Sequence, residues 1–194
     1  MNEIVTSGDV PQSIGGNADP MQVEFESLKK GQLMAIDLTA EAPPSGIMGG
    51  SGLLAELKIG QQGSDPGVQL SEVKIIRVRD IEDASFKELS SWAAAHELPQ
   101  SGIVMFAMAS EGTISSATFL DPHTDNILGR QGTLKWNHYG AGEQKSAELS
   151  PYSDNDRISR EQVRLGVFGD RLLLEGLTDN SDVDVRTVLP HGTI

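Results

Sequence analysis

The sequence predicts a mainly β protein, a β-sandwich with one covering α-helix. Short apolar stretches of strand length recur along the chain and are separated by turns that contain Gly and Pro. Glycine accounts for 21 of the 194 residues, a share above the usual level of about 7%. Only one segment, near residues 86–98, has its apolar residues at helical spacing. Many short strands with a single helix favour a sandwich or an open barrel.

Composition and charge exclude several classes of protein. The chain has no cysteine, which excludes disulfides, thiolate metal sites and cysteine nucleophiles. Lys and Arg number 15 against 28 Asp and Glu, a net charge of −13 that is spread evenly along the chain. We therefore expect no binding to nucleic acid or to an anionic membrane surface. The first residues lack the basic and apolar regions of a secretory signal, so the expected location is cytoplasmic.

The N-terminal part is predicted to consist of a tail followed by strands. Residues 1–20 are polar and rich in turn-forming residues, which indicates a flexible tail. Residues 21–80 form a β-rich segment, and the connector at residues 29–32, which contains Gly31, predicts a hairpin. The strands predicted in this segment are residues 23–28, 33–40, 53–59 and 68–79.

Residues 81–194 are predicted to combine the helix with the main part of the sandwich. Ser85 and Glu88 form a capping box at the start of the helix, and Pro99 ends it. The strands predicted after the helix are residues 102–109, 113–120, 132–136, 162–167 and 171–174. A two-residue turn at residues 169–170 predicts a tight hairpin between the last two.

The C-terminal part resembles the centre of a forkhead-associated (FHA) domain over about residues 128–190. Gly129 and Arg130 stand where that family has a Gly-Arg pair. Ser159 and Arg160 match the Ser-Arg that opens a strand in the family. Residues 174–177 match the strand that leads to the last motif of the family. The family has a structural His where this chain has Gln, and the Asn-Gly of its last motif is absent.

The resemblance implies a β-sandwich whose loops bind phosphothreonine peptides without a catalytic group. Arg130 is expected to hold two phosphate oxygens with its guanidinium group. The Ser159 hydroxyl is expected to take a third oxygen, with Arg160 beside it. Asn180 is expected to hold the backbone of the peptide. Residues 139–150 are expected to be an insertion, because the two motifs are further apart here than in the family.

The other polar residues do not form a catalytic or metal-binding pattern. The four histidines are His96, His123, His138 and His191, and no two have a metal-ligand spacing. The acidic stretches at residues 154–156 and 179–184 lack the Gly and Glu of a calcium-binding loop and are predicted to be solvated turns. Ser51 lies in a Gly-rich loop without the pattern of a nucleophile elbow or a P-loop. We therefore expect no metal, no cofactor and no catalytic residue.

The expected function is a non-catalytic protein–protein interaction module that binds a phosphopeptide or another protein partner. Its expected ligand-binding residues are Arg130, Ser159, Arg160 and Asn180. The alternative is a structural subunit of a larger assembly, such as a phage or secretion particle, without phosphate binding. A homo-oligomer is compatible with both interpretations. An enzyme is disfavoured, because the sequence offers no nucleophile–base pair.

Overall fold

The computed structural model describes residues 25–40, 53–60, 71–81, 102–109, 113–140, 143–147, 150–152, 154–155, 158–179, 182–187 and 191–194. Within these residues the chain forms thirteen β-strands and a 3₁₀ turn at Val78–Asp80. The strands are β1 (Glu26–Ser27), β2 (Leu33–Asp37), β3 (Leu53–Gly60), β4 (Ser71–Arg77), β5 (Ile103–Met108), β6 (Ile114–Phe119), β7 (Asn126–Leu128), β8 (Trp136–Gly140), β9 (Glu143–Ala147), β10 (Val163–Phe168), β11 (Arg171–Gly176), β12 (Asp182–Thr187) and β13 (His191–Thr193). In this part of the chain, no helix is long and apolar enough to cross a membrane.

The strands form two antiparallel sheets, which confirms the prediction of a mainly β, sandwich-like protein. The large sheet has eight strands in the order β1-β12-β3-β4-β5-β6-β8-β9. The small sheet has five strands in the order β13-β2-β11-β10-β7. Strands from the N-terminal segment lie inside both sheets, because β2 is between β11 and β13 and β3 is between β4 and β12.

The main hydrophobic core contains residues from both sheets. Strand residues alternate between faces, and the core-facing set includes Leu57, Val73 and Met105 from the large sheet. Leu165 and Leu174 contribute from the small sheet. The exposed fraction of these five side chains is 1% or less. Burial of apolar surface between the layers is therefore the main force that holds the sheets together.

A second buried apolar cluster is formed by the residues that alternate with the core-facing ones in the large sheet. It contains Ile76, Val104, Phe106 and Ala117, with Phe119 packed against it. Neighbouring strands align these residues, with Ile76 opposite Val104 and Phe106 opposite Ala117. The cluster therefore belongs to the face of the large sheet that is turned away from the small sheet. The predicted helix, like the N-terminal tail and the Gly-rich loop, lies outside the described residues.

The hairpin predicted at residues 29–32 is wrong, because the flanking strands belong to different sheets. β1 pairs with β12 in the large sheet, whereas β2 pairs with β11 and β13 in the small sheet. The connector still makes a tight turn, with Gly31 at a φ of +74° and the Gln32 N–H donating to the Lys29 carbonyl at 3.0 Å. The turn therefore carries the chain from one layer to the other.

Two further predictions are corrected by the pairing. Residues 179–184 do not form only a loop, because β12 begins at Asp182 and pairs with β1 and β3. The strand predicted at residues 132–136 begins only at Trp136. β8 pairs with β6 and with β9 in the large sheet, and the expectation that residues 139–150 are an insertion relative to the FHA family stays a prediction.

The tight hairpin between β10 and β11 is confirmed. Phe168 pairs with Arg171, which leaves a two-residue turn. Gly169 has a φ of +57° and is the first residue of this turn. A positive φ at this position is readily adopted by Gly and strains other residues.

Candidate functional site

Three loops meet at one end of the small sheet. β10 lies between β7 and β11, and Val163 at its start pairs with Leu128 at the end of β7 and with Gly176 at the end of β11. Antiparallel pairing therefore places three segments at the same end of the sheet: the one that follows β7, the one that precedes β10 and the one that follows β11. We call residues 129–131, 158–162 and 177–179 the Arg130 loops.

Backbone hydrogen bonds join the first two of these loops. The Arg130 N–H donates to the Ser159 carbonyl at 3.0 Å, and the Gln131 N–H donates to the Arg160 carbonyl at 2.9 Å. Gly129 makes this approach possible, because a Cβ there would lie 2.4 Å from the Arg160 carbonyl oxygen. The structure thus brings together Arg130, Ser159 and Arg160, three of the four residues expected at the site. The fourth, Asn180, lies outside the described residues.

Gln162 fixes the turn that carries Ser159. Its side-chain oxygen accepts the Ser159 N–H at 3.1 Å. Its backbone N–H donates to the Leu128 carbonyl at 2.8 Å, and its carbonyl accepts the Leu177 N–H at 3.0 Å. Gln162 is fully buried, so these bonds are protected from water. The residue in the place of the family's His therefore links its own loop to the end of β7 and to the loop after β11.

Two hydroxyl groups lie together among the Arg130 loops. The Ser159 Oγ is 3.2 Å from the Thr178 Oγ1, and either atom can donate. Both residues are partly buried. Thr178 was not expected at the site from the sequence, and its position follows from the end of β11 lying beside the start of β10.

Arg130 differs from the other arginines that have a buried Nε. The Nε atoms of Arg130, Arg164 and Arg186 are buried and lack a hydrogen-bond partner. Arg164 is nevertheless ion-paired with Glu175 at 2.7 Å, and Arg186 is ion-paired with Glu56. Within the described part of the chain, Arg130 has no such acidic partner. Its charge is therefore not neutralised by a neighbouring carboxylate of that part.

Lys30 is a further cation near the Arg130 loops that sequence reasoning did not identify. The turn at residues 29–32 packs on Gly176, whose N–H donates to the Gln32 carbonyl at 3.1 Å. A Cβ at Gly176 would lie 2.3 Å from the Lys29 carbonyl oxygen. This contact brings Lys30 to within 3.9 Å of Asp179, with both side chains exposed. Only the pairing between distant segments places Lys30 there, so no local signal indicates it.

A Ser–His pair elsewhere in the fold is structural in its present arrangement. The Ser116 Oγ is 2.8 Å from the His138 Nδ1, and the two residues are directly opposite each other on β6 and β8. Ser116 has an exposed fraction of 0%, so its hydroxyl is not accessible to solvent. Among the described residues, no three His, Cys, Asp or Glu side chains form a group that could hold a metal ion.

Comparison of the chain with protein-family models, with curated proteins and with solved structures finds no match. The resemblance to the FHA family therefore depends on the short motifs quoted above.

Proposed function

We propose that the chain is a non-catalytic interaction module that binds a phosphothreonine peptide at the Arg130 loops. The observation that carries the proposal is the meeting of Arg130 and Ser159, which are 29 positions apart in the sequence and joined by a 3.0 Å backbone hydrogen bond. A phosphate ligand needs a cation and several hydrogen-bond donors that converge on one point. FHA-like phosphothreonine binding is the function that these residues support best.

The guanidinium group of Arg130 supports binding of an anion. A buried polar atom without a partner costs about 1–3 kcal/mol, and Arg130 Nε is such an atom. Charge-assisted hydrogen bonds from the guanidinium group to a phosphate offset that cost. In the proposed complex, the planar group holds two phosphate oxygens while the loop backbone fixes its position.

The hydroxyl groups of Ser159 and Thr178 lie at the same loops. Their oxygens are 3.2 Å apart, and a hydroxyl group both donates and accepts hydrogen bonds, so in the proposed complex one member of the pair donates to the phosphate. Gln162 holds the Ser159 backbone, so the site is largely formed before the peptide arrives. A preformed site loses less conformational entropy on binding.

The local charges are more favourable to an anion than the net charge of −13 suggests. Asp179, the described acidic residue in the third loop, is ion-paired with Lys30. Arg160 is exposed beside Ser159, and the exposed carboxylate of Glu161 follows it. Asp182 and Asp184 belong to β12 in the large sheet. Exposed charges are screened over about 8 Å at physiological ionic strength, so the charges at the loops dominate the potential there. The cations Arg130, Arg160 and Lys30 outnumber the carboxylates of Glu161 and Asp179.

The test is fluorescence anisotropy of the full chain with paired phosphothreonine and threonine peptide pools. The phosphorylated pool should bind and the unmodified pool should not. Arg130→Ala should weaken binding about tenfold or more, because it removes charge-assisted hydrogen bonds worth about 1.5–3 kcal/mol. Arg79→Ala is the matched control, since it removes the same charge at the opposite end of the sandwich.

Two outcomes contradict the proposal. Equal loss of binding in both variants shows a non-specific charge effect, and absence of binding to both pools removes phosphate recognition altogether. The alternative, a structural subunit of a larger assembly, then becomes the leading hypothesis. A molecular mass in solution that rises with protein concentration favours that alternative.

We also propose that the segment near residues 86–98, which the sequence predicts to be an amphipathic helix, covers the second apolar cluster. Its support is that Ile76, Val104 and Phe106 face away from the small sheet and are nevertheless buried. The chain has two tryptophans, so Trp136→Phe leaves Trp92 as the single reporter. Blue-shifted emission protected from acrylamide is expected, and solvent-exposed emission contradicts the proposal.

A further inference from the structure

A cavity of about 570 Å³ lies at the end of the sandwich opposite the Arg130 loops. The β10–β11 hairpin shows that the ends are opposite, because its turn at residues 169–170 borders the cavity whereas Val163 and Gly176 lie at the loops. Leu38, which follows β2, also borders the cavity from the small sheet. Residues at the ends of β4, β5 and β6 border it from the large sheet. Sites for small molecules commonly have volumes of about 300–1,000 Å³.

Most of the cavity wall is apolar. The residues that form this part are Leu38, Ile103, Phe119, Leu120, Pro122 and Val167. Ile103 and Leu120 are buried members of the main core, and Leu38 and Val167 pack against that core while remaining partly exposed. The cavity is therefore an opening into the space between the two sheets. Such a wall favours a ligand with an apolar part.

Two arginines border the cavity and share one carboxylate. Arg77 is nine-tenths buried; its Nε donates a hydrogen bond to the Asp80 carboxylate, and its Nη1 donates to the Leu38 carbonyl at 3.0 Å. Arg79 is 62% exposed, and its Nε is 3.7 Å from Asp80 Oδ1. That separation is longer than a hydrogen bond. Two nitrogens of Arg77 thus hold the wall, whereas the mostly exposed Arg79 is held near Asp80 by an ion pair without a hydrogen bond.

We propose that this cavity binds a small monocarboxylate with an apolar tail. The tail lies against the apolar wall, and the carboxylate takes two parallel hydrogen bonds from Arg79. A guanidinium group matches the geometry of a carboxylate, and such a pair is stronger than one between neutral groups. Asp170 also borders the cavity, and its backbone carbonyl accepts the Leu38 N–H at 2.8 Å. The proposal does not depend on phosphopeptide binding, because the two sites share no residue.

The test is titration calorimetry of the full chain with octanoate, octanol and octylamine. Octanoate should bind with saturation, at least about tenfold more tightly than octanol, because only octanoate pairs with the guanidinium group. Arg79→Gln should remove that difference and leave octanol binding unchanged. Arg171→Gln is the matched control, because Arg171 is exposed after the same turn and does not border the cavity. It should leave all three affinities unchanged.

A second variant tests the apolar part of the site. Val167→Phe places a larger side chain in the cavity and should abolish binding of both octanoate and octanol, with folding checked by circular dichroism. If this variant does not fold, Arg79→Gln still tests the proposal. Arg79 is mostly exposed, so its replacement should not disturb folding. The proposal is overturned by equal binding of octanoate and octanol, by tighter binding of octylamine, or by absence of saturable octanoate binding. It is also overturned if Arg79→Gln leaves octanoate binding intact.

Discussion

Gly129 allows two of the Arg130 loops to lie close together because it has no side chain. A Cβ at this position would lie 2.4 Å from the Arg160 carbonyl oxygen, closer than carbon and oxygen atoms approach. Gly129→Ala should therefore push the loops apart and lower the free energy of unfolding by about 1–3 kcal/mol, the usual cost of overpacking. Urea denaturation measures the change.

Gly192→Ala is the matched control for Gly129→Ala. No atom lies within 4 Å of a Cβ at Gly192, so the same added methyl group meets open space. Its unfolding free energy should stay close to that of the wild type. Equal destabilisation of both variants contradicts the close approach at Gly129.

Glu56 on β3 should make stability fall as the pH rises. Burial and a hydrogen bond with Glu72 raise the pKa of Glu56 above its ordinary value of 4.5, and Arg186 opposes this only in part. The folded state therefore keeps a proton that the unfolded state has lost, so stability declines from pH 4.5 through the folded pKa. The side chain introduced by Glu56→Gln does not titrate, so this variant should show a smaller decline in the free energy of unfolding. Urea denaturation at a series of pH values measures the decline.

Glu72 supplies a control of opposite sign for Glu56. Burial alone raises the pKa of Glu72, but hydrogen bonds with Glu56 and Lys74 bring it below its ordinary value of 4.5. Its contribution to stability is therefore present above pH 4.5 and lost as the pH falls through the folded pKa. Glu72→Gln should remove this acid-side loss. Parallel pH curves for the wild type and both variants contradict the two pKa shifts.

The strands with clear alternation were predictable, and those with an acidic or very short pattern were not. Val163 and Leu165 alternate with polar or small residues, and β10 follows this pattern. β12 has the same alternation, with Val183 and Val185 buried. The acidic residues that alternate with these valines led to the prediction of a solvated turn. Burial against β3 and the main core outweighs that local preference.

Leu174 should be one of the side chains on which the small sheet depends most. It is fully buried on β11, where it pairs with Leu165 and with Met34. Leu174→Ala should lower the free energy of unfolding by about 2–5 kcal/mol, because it removes buried apolar surface and leaves a cavity. Phe168→Ala, at a position 67% exposed, should change it by less than about 0.5 kcal/mol. Equal urea midpoints for both variants contradict the assigned core.

The pairing of distant strands unites the chain into one structure. β2 needs β11 and β13 as neighbours, and β3 needs β12. Fragments of residues 1–80 and 81–194 should therefore not fold alone, and mixing them should restore the signal of β structure in circular dichroism. Cooperative thermal unfolding of either fragment by itself contradicts this expectation.

The meeting of Arg130 and Ser159 was expected from the resemblance to the FHA family, whereas β7, the strand that ends just before Arg130, was not predicted. Lys30 was not predictable, because it reaches Asp179 only through the contact of its turn with Gly176. The cavity at the opposite end was not predictable either, because five separate segments form it. Local patterns indicate which side chains end a strand, whereas the order of strands decides which ends become neighbours.

The length of the β10–β11 hairpin has a consequence for ligands at its two ends. Each strand has six residues, which span about 20 Å. That distance is more than twice the screening length of about 8 Å at physiological ionic strength, so a phosphate at the loops exerts little force on a carboxylate at the turn. In the two proposed complexes neither ligand is therefore expected to displace the other. Each is expected to bind with an unchanged dissociation constant when the other is present.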